Sequence, residues 1–82
     1  MMKKPLFAIG DVVKRSEAAL DFQRARFAYS EVGKAMVERT SSIRFVVVGV
    51  EPWYGSFVYE LKYLDSGSRV MRSATQGALE RV

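Results

Sequence analysis

The sequence predicts an α+β fold: a small antiparallel barrel or curved sheet of about four or five strands, with one long helix inserted after the first strand. Two periodicities carry that reading. From Ala18 to Met36 apolar residues recur at alternating spacings of four and three (Ala18, Phe22, Ala25, Tyr29, Val32, Met36), as one stripe of a helix requires. Further along, Phe57, Tyr59, Leu61 and Tyr63 alternate with Val58, Glu60, Lys62 and Leu64, which is the two-residue period of a strand. A third observation bounds both: 82 residues contain neither cysteine nor histidine, so no disulfide framework or structural zinc site takes the place of a hydrophobic core.

The chain fits a single domain, residues 1–82, because a second core has no material to form from. Its 49% hydrophobic and 27% charged residues are a folding composition and not the charge-rich balance of disorder. So short a domain buries only about 60–65% of the surface its unfolded chain exposes. Oligomerisation is therefore an expected source of further burial.

Leu6 to Val13 reads as an extended opening with a turn at Gly10-Asp11; Phe7 and Ile9 plug one end of the core, and Val12-Val13 joins the sheet. Ser16 to Glu38 is the helix, with Ser16 as N-cap, Glu17 near the positive end of the dipole, and Lys34 and Arg39 near the negative end. Its apolar stripe is expected to pack on the sheet. Gly33, costly by about 1 kcal/mol inside a helix, marks a break or C-cap. Polar Thr40-Ser41-Ser42 ends the periodicity.

Ile43 to Val50 is a strand with Ile43, Phe45 and Val47 on one face and Val46, Val48 and Val50 on the other. Both faces are apolar, so one should line a barrel interior and the other should lie beneath the helix. Pro52 and Gly55 mark Glu51 to Ser56 as a hairpin connection into the strand Phe57–Leu64. Asp65 to Ser68 is a turn and Arg69 to Arg72 a short returning strand. Thr75 to Ala78 is one tight helical turn, and Leu79 to Val82 closes the sheet.

Two phrases, Ile9-Gly10-Asp11-Val12-Val13 near the start and Ala78-Leu79-Glu80-Arg81-Val82 at the end, together with the strand order between them, resemble small SH3-like barrels of bacteria, phage and mobile elements. The plasmid-borne type II dihydrofolate reductases open and close in a similar way. The resemblance implies an SH3-like barrel. It does not carry the reductase activity: that family's Val-Gln-Ile-Tyr signature falls on Met71-Arg72-Ser73-Ala74, where neither its glutamine nor its tyrosine is present. A fold that hosts many roles supplies none by itself.

Without cysteine or histidine there is no thiol nucleophile and no imidazole base. The carboxylates Asp11, Glu51, Glu60 and Asp65 show no spacing that pairs them as acid and base. A non-enzymatic protein without cofactor or metal is therefore expected. No apolar run is long enough for a bilayer, and Met1-Met2-Lys3-Lys4-Pro5 leads into no signal-peptide core, so the expected location is the cytoplasm. The first reading is a small interaction module that self-associates and binds a protein partner, with Trp53, Tyr54, Val48 and Val50 at the contact. The alternative follows from a formal charge of +4: a nucleic-acid-binding accessory protein using Arg44, Lys62, Arg69 and Arg72, with Trp53 or Tyr54 as a stacking platform.

Overall fold

A computed structural model describes residues 4–82; Met1, Met2 and Lys3, on which the reading of the leader begins, lie outside the described residues. The elements in order are β1 (Val12–Arg15), α1 (Glu17–Arg26), α2 (Glu31–Ser42), β2 (Phe45–Trp53), β3 (Ser56–Tyr63), β4 (Ala74–Thr75), a 3-10 turn (Gln76–Ala78) and β5 (Leu79–Arg81). The strands form one antiparallel sheet in the order β4-β3-β2-β1-β5. Among the described residues no helix is long and apolar enough to cross a membrane.

Alternation along the strands builds the core. Val13, Phe45, Val47, Tyr59, Leu61, Ala74 and Leu79 share one face, and Phe7 from the opening segment closes over them. Phe7 meets the Tyr59 ring edge-on at 5.2 Å. The expected second plug, Ile9, is exposed. It precedes Gly10, whose φ of 96° turns the chain so that its N–H reaches the carbonyl of Val47.

The opposite face of β2 departs from strict alternation. A register shift between Val47 and Gly49 inserts one residue, so that Val47 pairs with Leu61 and Val50 with Tyr59. The bulge returns Val50 to the core side instead of leaving it opposite Val47 as alternation predicts. It also puts Gly49 opposite Glu60, whose carboxylate oxygen lies 3.0 Å from where a Cβ would stand. Pro52 falls inside β2 and pairs with Phe57. A proline is tolerated there because β1 pairs with β2 only at Phe45 and Val46, leaving the outer side of Pro52 a free edge. The short strand expected at Arg69 to Arg72 reduces to one bridge, Arg69 to Lys62, followed by the N–H of Val70 on the carbonyl of Leu61; β4 itself is Ala74–Thr75.

The helical region differs most from expectation. It is two helices in place of one, and the break falls at Phe27 to Ser30 instead of Gly33. Ser30 caps α2 by accepting from the N–H of Gly33 at 3.0 Å. Gly33 sits inside α2 because a Cβ there would lie 2.5 Å from the Cβ of Phe27; the glycine lets the two helices approach. α2 also runs through Thr40-Ser41-Ser42, whose hydroxyls bond back to the carbonyls of Met36, Glu38 and Arg39 in place of ending the helix. Ser16 caps α1 as its position predicts, and its hydroxyl also donates to the carbonyl of Gly77 at 2.8 Å, fastening the helix to the 3-10 turn.

The predicted stripe does not pack on the sheet. Phe22 is 70% exposed, and Tyr29, Val32 and Met36 are exposed with it. The helices instead bury Leu20, Gly33 and Val37, and no helical residue belongs to the core cluster. α1 rests on the 3-10 turn and α2 beside β1. The helical pair stands beside the sheet instead of covering it, and the radius of gyration, 13.4 Å, exceeds the roughly 12 Å of a compact chain of this length.

Burial separates Leu20 from Phe22. Leu20→Ala is expected to cost about 2–5 kcal/mol, whereas Phe22→Ala should stay within about 0.5 kcal/mol of the native protein. Urea denaturation of both variants in dilute solution decides it; a large loss at Phe22 would mean that the stripe is core.

Candidate functional site

Beyond the last pairing of β3 with β4, at Val58, the β2–β3 hairpin continues as a short two-stranded ribbon of Pro52-Trp53 against Ser56-Phe57. At its tip Trp53 pairs with Ser56, leaving Tyr54-Gly55 as a two-residue loop. Both loop residues have positive φ, 44° at Tyr54 and 78° at Gly55, the pattern of a type I′ turn, whose twist matches that of the flanking strands. The connection is thus narrower than Glu51 to Ser56. Glycine adopts this conformation freely, but a tyrosine held in the left-handed region costs about 1–2 kcal/mol. The first loop position usually carries asparagine, aspartate or glycine. Here it carries an aromatic ring that is 91% exposed and stands edge-on to half-exposed Trp53, with centroids 5.0 Å apart. A conformationally expensive residue that contributes nothing to the core points outward for another reason.

Of the other residues expected at this surface, Val48 is half-buried at the register shift, and half-buried Val50 packs against the core. Neither adjoins the tip. The ribbon tip therefore presents Trp53 and Tyr54 as an aromatic pair, without the two valines.

The basic residues are distributed differently. Lys62 and Arg69 face each other across their bridge, and Arg44 lies on β2's side of the same sheet face, opposite Leu64. The Arg44 guanidinium is engaged: it donates to the carbonyls of Ser41 and Ile43 at the end of α2. Arg72 is exposed in the connection before β4. Lys62 lies six residue steps along β3 from Ser56, about 20 Å at 3.3 Å per residue. Arg44, Lys62 and Arg69 thus lie at the end of the hairpin away from the aromatic pair.

Elsewhere ion pairs join Lys14 to Glu80, Arg81 to Asp11, Arg24 to Glu17 and Asp21, and Lys34 to Glu31. A cleft of about 500 Å³ opens between the helices, lined by Arg24, Phe27, Ala28, Lys34, Val37 and Glu38. Among the described residues no group of three acidic side chains is placed to hold a metal ion.

Alternation and turn composition located the hairpin but missed two features: the left-handed Tyr54 and the outward stripe on α1. The first had a signal, a two-residue X-Gly loop between pairing strands. The second had none, since a periodic stripe does not say which side of the helix the sheet will take. Comparison of the chain with protein-family models, curated proteins and solved structures finds no match.

Strain at Tyr54 has a measurable consequence. Tyr54→Asn relieves about 1–2 kcal/mol of backbone cost and loses an edge-to-face contact worth about 0.5–1.5 kcal/mol. The urea midpoint is expected to rise slightly with unchanged slope. A clear fall would show that the aromatic contact outweighs the strain.

Proposed function

We propose that this chain is a non-enzymatic interaction module built on an SH3-like barrel, and that it engages a protein partner through the Trp53-Tyr54 ribbon tip. One observation carries the partner reading: an exposed aromatic pair at the end of a projecting ribbon, kept there at a cost to the backbone. Tryptophan and tyrosine are the side chains that most often anchor interfaces, because they bury much area while fixing few torsions. The barrel reading is supported by the sheet order, by the 3-10 turn before the last strand, and by the meeting of the two phrases that carry the resemblance. β1 and β5 pair as Val13 with Arg81, Lys14 with Glu80 and Arg15 with Leu79.

Affinity capture from the host with the native protein, Trp53→Ala and Tyr54→Ala tests the reading. The expected result is a protein retained by the native chain and lost from both variants, with all three giving the same far-ultraviolet circular dichroism. Equal capture by all three would remove the ribbon tip from the reading.

The nucleic-acid reading has one observation in its favour. Lys62 and Arg69 are like charges directly opposite each other, an arrangement that costs stability unless an anion lies between them. Fluorescence anisotropy with single- and double-stranded oligonucleotides at low salt decides it. Binding that weakens steeply with salt, with a slope reduced by roughly one in Arg69→Ala, would support a phosphate contact. Absence of binding would end that reading.

A further inference from the structure

The outward side of α1 carries Ala18, Phe22 and Ala25, and Tyr29 follows within a turn of the helix end; all four are exposed. At about 100° per residue the three helical positions fall on one narrow arc, turned away from buried Leu20. Read along the chain, this stripe runs small, large, small, large. Read backwards it runs large, small, large, small. A second α1 laid antiparallel on the first therefore sets Phe22 against Ala25 and Ala25 against Phe22, which is the interdigitation that close packing needs. A parallel copy would stack ring on ring and leave alanine facing alanine.

Charge points the same way. The first half of α1 holds Glu17 and Asp21, and the second half Arg24 and Arg26. An antiparallel copy brings acidic half to basic half, and a parallel one opposes like to like. Over α1, α2 and their connection, acids Glu17, Asp21, Glu31 and Glu38 balance bases Arg24, Arg26, Lys34 and Arg39, so the chain's net +4 lies elsewhere and this surface has no bias toward a polyanion. An aromatic side chain carries about 150–250 Å² of surface, so Phe22, 70% exposed, and Tyr29, fully exposed, leave on the order of 300 Å² uncovered. That is approaching half of the roughly 800 Å² each partner contributes to a standard interface.

We propose that the chain forms a two-fold homodimer through antiparallel pairing of α1 with its copy, the Phe22 ring of each protomer packing over Ala25 of the other. The contact is isologous, as a two-fold requires. It rests on the interaction-module reading only in naming a second copy as one partner, and its surface is separate from the ribbon tip.

Sedimentation velocity on the full chain across the micromolar range tests the pairing through a swap. The native protein is expected to pass from monomer to dimer with rising concentration. Phe22→Ala empties the large position and Ala25→Phe sets ring against ring, so each should weaken the dimer at least tenfold. The double variant Phe22→Ala/Ala25→Phe reverses the order of the stripe while keeping large against small, and should recover native affinity. Both positions are exposed, so the fold, followed by circular dichroism, should persist in all three. Trp53→Ala should dimerise as the native protein does, which separates this surface from the ribbon tip. A native protein that stays monomeric, a dimer indifferent to both single changes, a double variant that fails to recover, or a dimer lost in Trp53→Ala would each overturn the proposal.

Discussion

The Tyr59 hydroxyl is the contact on which the rest of the arrangement hangs. It lies at the end of a fully buried side chain in the middle of the core. It accepts from the N–H groups of Leu6, at 3.1 Å, and Phe7, and donates to the amide oxygen of Gln76 at 2.6 Å. Three separate stretches of chain are joined there: the opening segment, β3 and the 3-10 turn. A buried hydroxyl without partners costs about 1–3 kcal/mol, so core packing of the ring obliges both segments to come to it. Gln76 fixes the 3-10 turn, the carbonyls of Gly77 and Ala78 receive the hydroxyl and N–H of Ser16, and Ser16 starts α1. The direction in which the helices leave the sheet thus traces back to one phenol.

That chain of attachments explains why the helices stand beside the sheet. Among the described residues the sheet's core cluster is made by the strands and Phe7, with Ala74 filling the position beside Tyr59. The insertion between β1 and β2 is free to pack on itself, with Gly33 admitting Phe27, and needs only Leu20 and Val37 buried to hold its place. The cost is apolar surface left in water, which a domain of this size is poorly able to bear. The aromatic pair at the ribbon tip and the stripe on α1 are both surfaces of this kind, and they point away from the core in different parts of the chain.

Much of the sheet was legible in the sequence because strand alternation and turn chemistry are local. Tyr59, Leu61 and Tyr63 face the interior as their spacing predicts, Gly67 turns the chain where composition says, the tight turn falls at Gln76–Ala78, and Ser16 caps the first helix. The phrases Ile9 to Val13 and Ala78 to Val82 could be singled out, though not that Asp11 would meet Arg81 at 3.6 Å. The aromatic half of the candidate surface, Trp53 and Tyr54, was also visible, as large rings beside a turn glycine.

What the sequence by itself determined is the helical character of the region after Ser16, the extended character of β2 and β3, and that chemistry requiring a thiol or an imidazole has no residue to perform it. Period and composition act within a few residues, so they survive any rearrangement of the whole. Which side of each element is buried was decided only by the tertiary structure. Helical periodicity marks an apolar stripe on Ala18, Phe22 and Ala25 without saying whether this chain or another covers it, and one inserted residue at Val48 turns Val50 back to the core. Those outcomes depend on contacts between residues far apart in the chain, made once Tyr59 has closed the core, and no local pattern records them.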